Sequence, residues 1–200
     1  MTFNDWPWRH WRQRRGEALA LRLNNQPLTW RELCARVDAL ASGFAAQGVM
    51  EGQGVALRAY NQPETLLAWL ALLQCGARVL PLNPQLPAVL LQALLPALTM
   101  QHQLVLNGDV LPGNLPMLTL QLVEGEHAAC WHGDRLVSMT LTSGSTGLPK
   151  AAVHSANAHL ASALSVIIVI CSTTVLLVQK YYVSRKNYVM AAGRRATHGT

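Results

Sequence analysis

Acidic side chains are scarce. The 200-residue chain has 10 Asp and Glu against 16 Lys and Arg, and no acid follows Asp134. The last third therefore offers no carboxylate for acid–base work or for holding a cation. Cysteine is sparse as well: Cys34, Cys75, Cys130 and Cys171 stand far apart with no C-x-x-C pair, which speaks against a zinc site and against a disulfide scaffold. Cys34 and Cys75 fall in apolar helical patterns and are expected to be buried free thiols. Charged residues make up only 13% and hydrophobic ones 50%, a balance that excludes disorder by composition. The N-terminus lacks the apolar core of a secretion signal, so a reducing cytoplasm is the expected compartment. The positive charges lack interleaved aromatics: Arg9, Arg12, Arg14 and Arg15 form one cluster, and Lys180, Arg185, Lys186, Arg194 and Arg195 another. The net charge of +6 is accordingly read as a solvated face and a basic tail, with no nucleic acid as partner.

What is present alternates between two periods. Trp6, Trp8 and Trp11 accompany the first arginines, and a short helix after Pro7 would lay the tryptophans on the domain with the arginines in water. Leu19 to Leu23 reads as a strand and Asn24 to Pro27 as the turn after it. Thr29-Trp30-Arg31-Glu32 has capping-box spacing, followed by Leu33, Val37, Leu40, Ala41 and Phe44 at helical spacing and a stop at Gly48. Strands are expected at Val55–Tyr60, Ala77–Leu82, Gln103–Leu106, Leu118–Val123 and Leu136–Leu141. Helices are expected at Thr65–Cys75, Pro87–Leu95 and Ala151–Ala163. This is an α/β pattern, with a mostly parallel sheet and flanking helices.

The chemically dense stretch is Thr142-Ser143-Gly144-Ser145-Thr146-Gly147-Leu148-Pro149-Lys150. Two glycines let a ligand approach the backbone, four hydroxyls surround them, and Lys150 adds charge. Successive N–H groups in such a turn form a nest for an anion, most often a phosphate. The stretch departs from the P-loop pattern, because its glycines are too close and a Leu-Pro pair precedes the lysine. It is expected to leave the C-terminal end of a strand and enter a helix, whose N-terminus would favour the anion. His154, just inside that helix, is a weaker candidate. His127 and His132 flank Cys130 without metal-ligand spacing, and Glu124 and Glu126 read as solvated loop charges.

This nine-residue signature resembles the phosphate loop of the adenylate-forming superfamily of acyl-CoA synthetases, adenylation domains and luciferases. Leu28-Thr29-Trp30-Arg31-Glu32-Leu33 resembles its early helix start, and Pro81-Leu82-Asn83-Pro84 its "P-L-N-P" turn. Residues 5–11 and 67–78 are similar to the enterobacterial o-succinylbenzoate–CoA ligases of menaquinone biosynthesis. The resemblance implies the incomplete N-terminal part of a large AMP-binding domain, over about residues 1–163. It implies ATP with Mg²⁺, o-succinylbenzoate and CoA as small-molecule partners. It also implies that Thr142, Ser143, Gly144, Ser145, Thr146, Gly147 and Lys150 bind the β- and γ-phosphates. No catalytic or metal-binding residue is carried over.

The resemblance further implies a "Y-G-x-T-E" segment, a ribose-binding aspartate, a hinge and a C-terminal lysine downstream of the loop. None follows Lys150, so the chain alone is expected not to ligate. Residues 164–178 form an uncharged, β-branched run, followed by a basic segment. Three readings of this divergent tail (164–200) stay open: a frameshifted or replaced C-terminus, buried core segments, or a membrane helix. A non-catalytic nucleotide binder and a tail-anchored protein are the corresponding alternatives for function.

Overall fold

The computed structural model describes residues 4–142 and 150–162. Residues 1–156 make one compact unit and residues 157–200 a second. The first contains α1 (Pro7–Arg15), β1 (Leu19–Leu23), β2 (Gln26–Thr29), α2 (Trp30–Ala46), β3 (Gly54–Arg58) and α3 (Pro63–Gln74). It continues with β4 (Arg78–Leu82), α4 (Ala88–Ala97), β5 (Met100–Val105), β6 (Met117–Leu118), β7 (Leu136–Thr142) and β8 (Lys150–Ser155). The main sheet has the order β6-β5-β3-β4-β7-β8, and β1 and β2 form a separate hairpin. All neighbours in the main sheet are parallel except β7 and β8. The expected α/β class with a mainly parallel sheet is what the chain adopts.

A parallel sheet is covered on both faces, and its inner strands read as continuous apolar runs. All five residues of β3 are buried. On one face Val55, Leu57, Val79 and Leu104 pack against α2 and α3 through Val37, Phe44, Ala68 and Leu72. On the other, Ala56, Leu80 and Met139 meet Leu91 and Leu95 of α4. Each fully buried Leu or Phe stabilises the fold by about 1.5–3 kcal/mol. Helix α2 starts where its sequence says. The Thr29 hydroxyl accepts from the Glu32 N–H at 3.2 Å, and the Glu32 carboxylate accepts from the Thr29 N–H at 2.8 Å.

Helix α1 packs its tryptophans as expected. Trp6 and Trp8 are buried, and Trp6 stacks on Trp8 at 5.3 Å and meets Trp131 edge-on at 5.1 Å. Its arginines do not all face water. Arg9 and Arg12 each donate to the buried Asp38 carboxylate at 2.8 Å, while Arg14 and Arg15 are exposed. Two further expectations are corrected. Gln26 and Pro27 open β2 instead of completing a turn, with Pro27 paired to Arg22 in the two-stranded hairpin. Of the segment expected as the strand Leu118–Val123, only Leu118 pairs with β5, together with Met117 just before it. The rest runs along α2, where the Val123 N–H donates to the Ala39 carbonyl at 3.1 Å.

Candidate phosphate-loop site

Strands β5, β3, β4 and β7 run the same way, so their C-terminal ends share one edge of the sheet. Open α/β sheets bind ligands at that edge. Thr142, the last residue of β7, and Lys150, the first of β8, stand there opposite one another. Strand β8 returns antiparallel to β7, with Thr142 opposite Lys150, Leu141 opposite Ala151 and Met139 opposite Val153. The Thr142 hydroxyl donates to the Lys150 carbonyl at 3.2 Å and ties the two stems together. Both residues are exposed. Ser143, Gly144, Ser145, Thr146 and Gly147 lie outside the described residues.

The expected helix after the loop is corrected. Residues 150–155 are strand, and helix begins only at Ala156. A strand, not a helix N-terminus, therefore follows Lys150 directly. His154 is a strand residue opposite Ser138.

The neighbouring strand ends supply the rest of the edge. After β4, the Asn83 side chain accepts from the Gln85 N–H at 2.9 Å and its carbonyl from the Leu86 N–H at 3.0 Å, which fixes a tight turn. After β5, the Asn107 side chain accepts from the Tyr60 N–H at 3.0 Å. At the end of β3, Arg58 is 6% exposed and donates to the backbone carbonyls of Pro84 and Asp109. Sequence reasoning passed over Arg58. Its signal was a lone cation closing the buried strand Gly54-Val55-Ala56-Leu57-Arg58.

The weaker candidates sort as follows. Among the described residues no group of three or more His, Cys, Asp or Glu gathers as a metal site. The His127 carbonyl accepts from Gln74 at 2.8 Å, and Cys130 is exposed. Glu126 is more than a loop charge. Hydrogen bonds from Arg12, at 3.2 and 3.3 Å, hold its carboxyl below the usual range. Cys34 and Cys75 are buried thiols, pushed up to about 11 and about 12 by desolvation. A groove of about 690 Å³ is lined by Arg12, Arg31, Asp38 and Glu126, none of them on the loop edge. No helix among the described residues is long and apolar enough to cross a membrane, and residues 164–178 lie outside them.

Comparison with known proteins agrees with the loop signature. The sequence profile described as AMP-binding enzyme matches residues 8–192, reaching past residue 163, where the resemblance read from the sequence ends. The 2-succinylbenzoate–CoA ligase of Escherichia coli K12 is 70% identical over 167 residues, covering 84% of this chain and 37% of that protein. The enzyme of the same name from Salmonella typhimurium LT2 is 65% identical, with the same shares covered. The solved structure of an E. coli MenE variant with bound OSB-AMS superposes with a TM-score of 0.80 at 68% identity, covering 84% of this chain and 38% of that one. The chain thus spans under two fifths of the length of these relatives. By its sequence profile and its fold, the chain belongs to the AMP-binding enzyme family.

Proposed function

We propose that residues 142–150 grip the β- and γ-phosphates of ATP in an AMP-forming acid–CoA ligase, with o-succinylbenzoate as the acid and CoA as the thiol acceptor. The observation that supports this most is the pairing of Thr142 with Lys150 at the carboxyl edge of the sheet. That pairing brackets Ser143, Gly144, Ser145, Thr146 and Gly147 between two stems. The acid is inferred from the printed name of the 70%-identical relative and from the OSB-AMS bound to the structural neighbour.

In that chemistry a carboxylate oxygen attacks the α-phosphorus, the bond to the bridging oxygen breaks, and pyrophosphate leaves an acyl-adenylate behind. The CoA thiolate then attacks the acyl carbon and expels AMP. Negative charge grows on the departing pyrophosphate. The loop's N–H and O–H groups would donate to its oxygens, and the Lys150 ammonium would offset its charge. A preorganised donor of this kind commonly lowers the barrier by about 3 kcal/mol. Mg²⁺ would arrive with the nucleotide. Residues 142–150 contain no carboxylate to hold it.

Titration calorimetry of the full chain with MgATP tests the reading. Lys150→Ala is expected to weaken binding about 10- to 100-fold, equivalent to about 1.4–3 kcal/mol for a lost charged hydrogen bond. Equal affinity for the two proteins would remove Lys150 from the site.

A further inference from the structure

Arg58 ends β3 with its guanidinium turned across two loops of the carboxyl edge. One terminal nitrogen donates to the Pro84 carbonyl in the turn after β4, and the other to the Asp109 carbonyl after β5 at 2.9 Å. Its own carbonyl accepts from the Leu106 N–H at 2.9 Å, where β5 runs out. Its Nε is buried without a partner. Gly108 explains why that nitrogen is sealed in. A Cβ there would lie 3.2 Å from Nε, and the residue has φ of +86°, a conformation that suits glycine. The guanidinium is planar and always charged, so it holds two carbonyls in a fixed relative geometry that a single-headed donor cannot copy.

The turn it holds follows β4, the strand next to β7 in the sheet. Val79 of β4 pairs with Ser138 of β7. Counted on four residues from that one pair, past the end of β4 at Leu82, Asn83 falls level with Thr142, the first stem residue. The Asn83 to Leu86 turn is thus the neighbour, one strand over, of the loop's base. We propose that Arg58 is a positioning residue for ATP, setting this turn and the 107–109 segment so that the carboxyl edge beside Thr142 and Lys150 keeps one shape. The proposal rests on the ATP reading of residues 142–150. Displacements of about 1 Å in such supports can lower the efficiency of a site 100-fold.

The test compares the full chain with Arg58→Met, Arg58→Lys and Gly108→Ala, using amide hydrogen exchange and MgATP calorimetry. Exchange at Gln85 and Leu86 is expected to quicken at least tenfold in Arg58→Met, with Leu104 in β5 unchanged, and the MgATP Kd to rise about tenfold. Gly108→Ala presses on the guanidinium and is expected to act in the same direction. Arg58→Lys, which keeps the charge and one donor, is expected to recover part of the affinity. If Arg58→Met does not fold, Arg58→Lys and Gly108→Ala carry the comparison. Unchanged exchange and unchanged Kd in folded variants would overturn the proposal. Quickened exchange at Gln85 and Leu86 with an unchanged Kd would overturn it too, leaving Arg58 a structural clamp only. If the wild type itself binds no MgATP, the ATP reading fails first, and the exchange data still report whether Arg58 sets the turn.

Discussion

At the scale of single residues, Asp38 shows how an acid is kept inside this fold. Its side chain is 4% exposed, and it accepts from Arg9 and Arg12 at 2.8 Å and from Gln74 at 2.7 Å. Gln74 in turn accepts from the Trp8 indole at 2.7 Å, so one carboxylate joins α1, α2 and α3. Removing one partner of a buried pair costs about 3–5 kcal/mol, and the partial exposure of both arginines places this case near the lower end. Asp38→Ala is expected to lower the urea midpoint accordingly, followed by tryptophan emission. A midpoint equal to wild type would show the network to be energetically idle. The sequence held the signal. Cys34, Asp38 and Ala41 share one stripe of α2, and all three are buried. Periodicity alone marks that stripe as buried but cannot say which cations come to meet its acid. Arg9 and Arg12 were therefore expected in water. The AMP-binding family was legible in the 142–150 signature because a signature depends on residue identity. Arg58 was not, because its carbonyl partners are backbone groups 26 and 51 residues away.

Secondary-structure elements were legible wherever local chemistry decides them. The capping box and the buried strand β3 follow from their own residues, and the helix expected from Thr65 starts two residues earlier, at Pro63. They were misread where pairing decides. Ala151 and Ala152 favour helix intrinsically, yet the register with β7 makes them strand. Asn24 and Asn25, at φ of 49° and 65°, form the two-residue turn of a hairpin, and so release Gln26 and Pro27 into β2. The 119–123 segment is held by α2 at one tight spot. A Cβ on Gly43 would lie 1.9 Å from the Gln121 carbonyl oxygen. Gly43→Ala is thus expected to push the segment off the helix and cost at least about 1–3 kcal/mol. Faster amide exchange at Val123, which donates to Ala39, would locate the damage. Unaltered stability and exchange would mean that the helix yields instead.

Over the whole molecule, the class and the parallel sheet were legible, but the strand order was not, because only long-range contacts choose neighbours. The sheet is also where acid weakens the fold. His102 lies on β5, its Nε2 3.0 Å from the Gln53 side-chain oxygen. Burial pushes its pKa below 6.5, more than the Gly48 carbonyl raises it. The unfolded chain therefore binds this proton more readily than the native one. Stability is full above about pH 6.5 and declines as pH falls toward the native value. Thermal melts are expected to drop between pH 7 and pH 5.5, and His102→Gln should flatten that slope. The Glu126 carboxyl, held below 4.5 by Arg12, stabilises the fold above that range, and its share is lost only as pH falls below 4.5. The docking of α1 has a consequence in time. The Trp6 indole donates to the carbonyl of Ala129 at 2.9 Å, across 123 residues of chain. At typical synthesis rates that partner leaves the ribosome on the order of ten seconds later. Arg9, Arg12 and Trp8 can meet Asp38 and Gln74 well before then, so Trp6 is the part of this docking that is completed last.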